Sequence, residues 1–406
     1  MSGIFSYFLG GGSPASSGKL EPIKIHSIEN SDDKRAKSAS YLIKANHVNH
    51  SILYNNGKFH NHASHLISSA YILGASEEQL RTVYEAEGKE LEPWVPAPAE
   101  VIDEDWRDFL GNYEYQRGFI DFFEDKLVDA AYDWKKVVSE WLFLGKEPLF
   151  NALMSGLGHP LIHLAYAFEM DSKDVAMEAL AMACCCYNYM HKYSDDAKYT
   201  RPSSIPSASP SELLKAISTD ARFDAVPKDL ATSASLADLL ADFEDPIMDY
   251  WNAWDFDDPV KALEHAQEAA VEVVIGSANP STKSGPYNFY YAHILTSSHA
   301  MRVLLPLIPA DRQTSMLRQW WLFTIAVYLF RNRPAIDSNN INKSLDGRDW
   351  AYVEDKAINS DRITEAHYIK VVRTLKEAEK TWGSKDNFYL LAACTFVDNY
   401  HFWTYS

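Results

Sequence analysis

Histidine carries the chemical signal of this chain. There are 14 among 406 residues, and several recur at spacings that share a helix face. In Phe59-His60-Asn61-His62-Ala63-Ser64-His65, His62 and His65 stand three apart, on one side of a helix. In Gly158-His159-Pro160-Leu161-Ile162-His163 the two histidines stand four apart, about 40° around a helix axis. Pro160 suits the first helical position, so His159 falls at the helix mouth and His163 one turn in. A third segment, Tyr287 to Ser298, carries His293 in an apolar helical run, and His299 six positions on faces elsewhere. Imidazoles one turn apart are how helical scaffolds build interior metal sites. Neutral imidazole suits iron, zinc, copper and nickel. A lone histidine on an apolar face is ordinarily a hydrogen-bonded core residue, but three such segments in one chain favour a shared site. His26, His47, His50, His191, His265 and His401 keep the ordinary reading, and His60 reads as an exposed turn residue.

What is missing narrows the chemistry. There is no HExxH, and no HxD or HxE with a distant third histidine. Glu169 follows His163 by six and faces another way, and the other acids fall mainly on polar helix faces. A site built from these histidines therefore holds a divalent ion without an obvious carboxylate. No GxSxG, P-loop, kinase or GxGxxG pattern occurs, so neither a nucleophilic hydrolase nor a resident flavin or nicotinamide fold has support. Cys184, Cys185 and Cys186 are consecutive inside MEALAMACCCYNYM and read as small apolar helix residues. With no disulfide framework or zinc spacing, a reducing, cytoplasmic setting is expected.

The elements that must position these residues are helices. Ser76-Glu77-Glu78-Gln79 has the form of a capping box, and Ser209-Pro210-Ser211-Glu212 repeats it with proline at the first turn. Amphipathic stretches follow at about 115–144, 172–191, 258–275, 309–331, 361–381 and 385–402, and no segment alternates with period two for long. The fold predicted is all-α: one large multi-helix domain over 26–406, with a histidine-rich metal site between helices and a flexible Gly/Ser-rich extension at 1–25. Loops at 193–210, 276–286 and 332–348 are long enough to serve as lids or binding loops. Aromatics make up 13% of residues, which favours a ring-lined interior. The 38 basic and 56 acidic side chains leave a charge of −18, which argues against nucleic acid and against anionic membrane surfaces. The longest apolar run, Trp320 to Phe330, is too short to span a bilayer.

These segments together resemble the questin oxidase-like family of fungal polyketide tailoring enzymes. The likeness rests on FHNHASHLISSAYILGAS (Phe59 to Ser76), GLGHPLIHLAYAFE (Gly156 to Glu169), FYYAHILTSS (Phe289 to Ser298) and AHYIKVVRTL (Ala366 to Leu375). It implies a largely helical oxidoreductase that opens a ring of anthraquinones or related polycyclic aromatic polyketides. It also implies a non-haem iron held by four histidines and a carboxylated lysine, a carbamate that supplies the missing anionic oxygen. The matching lysine is Lys370, flanked by Ile369, Val371 and Val372. Five histidines compete for four places: His65, His159, His163 and His293 are favoured, with His62 either a ligand or a partner that orients one. His367, one turn before Lys370, is expected to handle protons. Leu66 stands where some relatives carry a further histidine.

The expected reaction is oxidative C–C cleavage beside a ring carbonyl, with Fe(II) as cofactor and O2 as co-substrate. Phe289, Tyr290, Tyr291, Trp320 and Trp321 are the candidate stacking walls for the substrate, each also readable as helix core. The rival enzyme reading is a metal-free or NADPH-dependent Baeyer–Villiger-type monooxygenase on the same substrates. A third is a helical carrier that holds a hydrophobic polyketide without consuming oxygen. A homo-oligomer is compatible with every reading.

Overall fold

The computed structural model describes residues 20–227, 236–279, 282 and 285–405. Helices dominate them, as the periodicity predicts. The described strands are two-residue ladders, Leu53–Tyr54 antiparallel with Phe59–His60 and Tyr287–Asn288 parallel with Trp403–Thr404. Residues 1–19 of the expected extension lie outside the described residues. Leu20 and Ile23 pack on the hydrophobic core, and the Glu21 carbonyl accepts from Arg302 Nη2 at 2.7 Å.

Local signals set the helix ends. Ser76 and Gln79 form the reciprocal capping box that opens Glu77–Glu87. Ser209 accepts from the Glu212 amide, with Pro210 in the first turn of Pro210–Thr219. The stretch 115–144 is two helices, Gln116–Asp129 and Trp134–Leu142. Ala131 and Tyr132 between them take φ of 52° and 63°, a backbone that no right-handed helix continues. The stretch 385–402 ends earlier than its apolar pattern, as Phe388–Asn399. No described helix is long and apolar enough to cross a membrane.

Five helices frame the histidines. His159–Met170 packs against Lys173–Cys185 and Phe289–Leu304, and Ala366–Trp382 packs against Ala63–Leu73 and Phe289–Leu304. His159–Met170 is buried along its whole length, which is why its sequence is nearly uniformly apolar apart from two histidines and Glu169. The turn feeding it is left-handed at Gly156, Leu157 and Gly158. A Cβ at Gly156 would lie 2.8 Å from both Cys186 Sγ and His60 Nε2, so glycine is required there by space as well as by φ.

Candidate metal centre

Four imidazoles converge at the meeting point of these helices. One ring nitrogen from each of His62, His159, His293 and His367 lies within 4.8 Å of the others, and all four residues are buried. His62 is the residue before the Ala63–Leu73 helix, His159 opens His159–Met170, His293 sits in the second turn of Phe289–Leu304, and His367 in the first turn of Ala366–Trp382.

Three of the four outer nitrogens are hydrogen-bonded, and His62 Nδ1 lies 3.9 Å from Glu87 Oε1. His159 Nδ1 donates to the Gly156 carbonyl at 2.7 Å, His293 Nδ1 to the Phe289 carbonyl at 3.2 Å, and His367 Nδ1 to Glu365 Oε1 at 3.2 Å. These partners fix the tautomer, so each Nε2 carries a lone pair. The Nε2 atoms of His293 and His367 are buried and have no protein partner. His62 Nε2 and His159 Nε2 face each other at 2.9 Å. Buried polar nitrogens left without partners are costly. Metal–nitrogen bonds of about 2.1 Å put neighbouring ligand nitrogens about 3 Å apart. The donor set and its spacing thus fit a divalent transition metal.

Charge around the group follows burial. It holds the His62, His159 and His293 imidazoles well below their usual range. Burial, with the nearby Lys370, also lowers His367 to about 4 despite the Glu365 hydrogen bond. All four are neutral at physiological pH, the form that binds metal. Lys370 shares the His367 helix face one turn on, is buried, and its Nζ has no partner. Burial pushes its pKa down to about 7, against the opposing pull of Glu365 and Glu87. Glu87 accepts from the His62 amide at 3.3 Å and is itself raised to about 7 by burial.

The convergent set differs from the four histidines favoured for the places that the family resemblance implies. His65 and His163 lie outside it: both nitrogens of His163 and Nε2 of His65 have other partners. His65 Nε2 meets His163 Nδ1 at 2.9 Å, and His163 Nε2 meets Glu178 Oε2 at 2.7 Å. Glu178 Oε1 in turn meets His47 Nδ1 at 2.9 Å, and His47 Nε2 reaches Glu124 Oε1 at 2.9 Å. His60, expected at an exposed turn, is buried and stacks on His159 with ring centroids 3.8 Å apart. The ladder with Leu53–Tyr54 turns it inward. Glu169 is also buried, paired with Arg373 and with His299 Nε2 at 3.3 Å.

The candidate walls divide. Phe289 packs against His367 (4.4 Å between centroids) and His293 (5.0 Å), and Tyr290 meets Phe289 edge-on at 5.6 Å. Tyr291 is buried and donates to the Arg331 carbonyl. The indoles of Trp320 and Trp321 donate to the Ile294 and Tyr250 carbonyls and pack on each other and on Trp254, so they are helix core.

The acids here were the least visible part of the sequence. Glu178 stands alone in the apolar run from Val175 to Ala183, and Glu365 stands two before His367. A single acid inside an otherwise apolar helix is the signal that finds the first.

The described residues thus form a mainly helical body around a buried four-histidine group that could hold a metal ion. Residues 59–375 match the questin oxidase-like family, and the chain belongs to it. Among curated proteins, it is 24% identical over 384 residues to a questin oxidase of Aspergillus terreus, covering 84% of this chain and 80% of that protein. A questin oxidase of Aspergillus fumigatus is 31% identical over 162 residues, 38% of this chain and 36% of that one. A Baeyer–Villiger oxidase of Pestalotiopsis microspora is 24% identical over 375 residues, 84% of this chain and 81% of that protein.

Proposed function

We propose that this chain is a non-haem iron oxygenase that opens a ring of an anthraquinone or related aromatic polyketide. The observation that carries the reading is the set of inward nitrogens on His62, His159, His293 and His367 beside the unpartnered amine of Lys370. In this reading His62, His159, His293 and His367 hold the ion. Lys370 completes the cage after its neutral amine adds carbon dioxide, forming an N–C bond and releasing one proton. The resulting carbamate gives the anionic oxygen that the histidines lack. Desolvation favours the neutral amine needed for that addition.

Bound iron would supply the one-electron chemistry that lets dioxygen react with an electron-rich ring. The chain does the rest. Phe289 offers a ring beside His293 and His367 against which a fused aromatic ring packs, with Tyr290 set perpendicular to it as a side wall. Burial of the group keeps bulk water away from it. The substrate, taken in its reduced hydroquinone form, provides the two electrons and two protons, its C–C bond beside the carbonyl breaks, and both atoms of dioxygen enter the acid and phenol groups of the product. No nicotinamide is consumed.

The names of the relatives support a second reading, a monooxygenase of Baeyer–Villiger outcome. Isotopic dioxygen separates the two: two labelled atoms in the product fit the dioxygenase, and one labelled atom with NADPH consumption fits the other. With the reduced, hydroquinone form of questin as the probe, oxygen uptake is expected to vanish on chelation, to return with ferrous iron, and to be lost in His293→Ala. Full turnover in chelated protein removes the iron reading.

A further inference from the structure

A second buried system leads away from the histidine group to the surface. It runs from His65 through His163, Glu178 and His47 to Glu124, with links of 2.9, 2.7, 2.9 and 2.9 Å. Five different helices contribute one residue each. The inner residue, His65, sets its ring edge-on to His62 at 5.7 Å, and its Nδ1 is buried without a partner. The outer residue, Glu124, has 41% of its side chain exposed, with Arg117 at 3.8 Å. Between them, the side chains of His163 and Glu178 are each only 1% exposed.

Such a chain carries a large burial cost that its own pairings must offset. Glu178 and His47 form a buried ion pair, flanked by Asp174 and Glu124, and burying two charges in water-free surroundings costs several kcal/mol before their attraction is counted. A well-packed apolar pair would fill the same space. The links also alternate in a single sense. His163 Nε2–H donates to Glu178, which leaves His163 Nδ1 as acceptor, so His65 donates through Nε2 and presents a bare Nδ1.

We infer that Glu124, His47, Glu178 and His163 form a proton relay that connects His65, beside the histidine group, with solvent. It rests on the oxygenase reading for its purpose: a substrate hydroxyl must lose its proton for the ring to be oxidised and regain one in the acid product. A proton arriving on His65 Nδ1 displaces the one on Nε2 to His163 Nδ1. His163 passes its Nε2 proton to Glu178 Oε2, and His47 releases its Nε2 proton through Glu124 to water. One proton enters as one leaves, and neither His65 nor His163 changes charge. The reverse sequence returns the proton and recharges His47 from water.

The test uses full-length iron-loaded protein with chemically reduced questin as substrate and two variants remote from the histidine group, His47→Ala and Glu124→Gln. Iron content and KM are expected to stay, kcat to fall at least tenfold, and added imidazole to restore His47→Ala. Wild-type kcat in Glu124→Gln, or a loss in His47→Ala that imidazole leaves untouched, overturns the relay. A readout without turnover accompanies it: in zinc-loaded protein with 15N-labelled histidine, exchange of the His163 ring N–H with water slows at least tenfold in Glu124→Gln. Equal exchange rates overturn the relay. If the wild type consumes no oxygen with aromatic polyketides, the oxygenase reading falls, and the exchange rates alone decide the relay.

Discussion

Lys370 is the residue on which the proposed centre turns. A buried amine with no partner is destabilising as ammonium, and in the proposed centre carbamate formation would convert it into an anion whose charge a divalent ion offsets. Lys370→Met keeps the apolar stem and removes the amine. The protein is expected to fold, to lose the mass of one bound carbon dioxide in native mass spectra, and to lose nearly all oxygen uptake, with partial return in acetate or propionate. Wild-type uptake in this variant would remove the lysine from the centre. At this scale the sequence was half legible. The pairings at 62/65 and 159/163 stood out by spacing, but spacing says only that two rings share a face. It does not say which ring already has a partner, and Glu178, a lone acid in an apolar helix, is what draws His163 away.

At the scale of elements, the centre depends on how two helices begin. Glu365 caps Ala366–Trp382, accepting from the His367 and Tyr368 amides, and the same carboxylate orients the His367 ring. Burial raises its pKa, yet its hydrogen bonds with His367 and Trp403 hold it below the ordinary carboxylate value. Glu365→Gln retains a cap but replaces a charged acceptor, and metal affinity is expected to fall about 10- to 100-fold, as read by competition with a chelating dye. The other beginning is the left-handed turn at Gly156 whose carbonyl holds His159. Gly156→Ala is expected to cost about 1–2 kcal/mol for the backbone alone, more with the contacts to Cys186 and His60, measurable as a lower denaturant midpoint. Helix positions were readable from capping residues and apolar period. The break after Asp129 was not, because Ala131 and Tyr132 are not residues that announce a left-handed turn.

For the molecule as a whole, the buried charges set the pH range of greatest stability. Hydrogen bonds from His47 and His163 outweigh the cost of burial and hold Glu178 down to about 2. Its contribution is therefore present above the ordinary 4.5 and fades as pH falls toward 2. His47 runs the other way: burial lowers it, but Glu124 and Glu178 raise it from 6.5 to about 10. Its contribution is complete below 6.5 and disappears as pH rises through about 10. The difference in unfolding free energy between the wild type and His47→Gln is expected to peak between about pH 4.5 and 6.5 and to shrink on both sides. A difference that is flat from pH 5 to 10 would mean that His47 is neutral in the fold. All-α architecture was plain from the pattern, since helical period needs only local sequence. The convergence of distant helices on one point depends on packing, which no short window carries.

The parallel pairing of Trp403–Thr404 with Tyr287–Asn288 has a practical corollary. Trp403 donates to Glu365 at 2.8 Å, so this short tail clasps the starts of the two helices that deliver His293 and His367. Removing the Trp403–Thr404 pairing should loosen the proposed hold on an ion while leaving the far side of the bundle untouched.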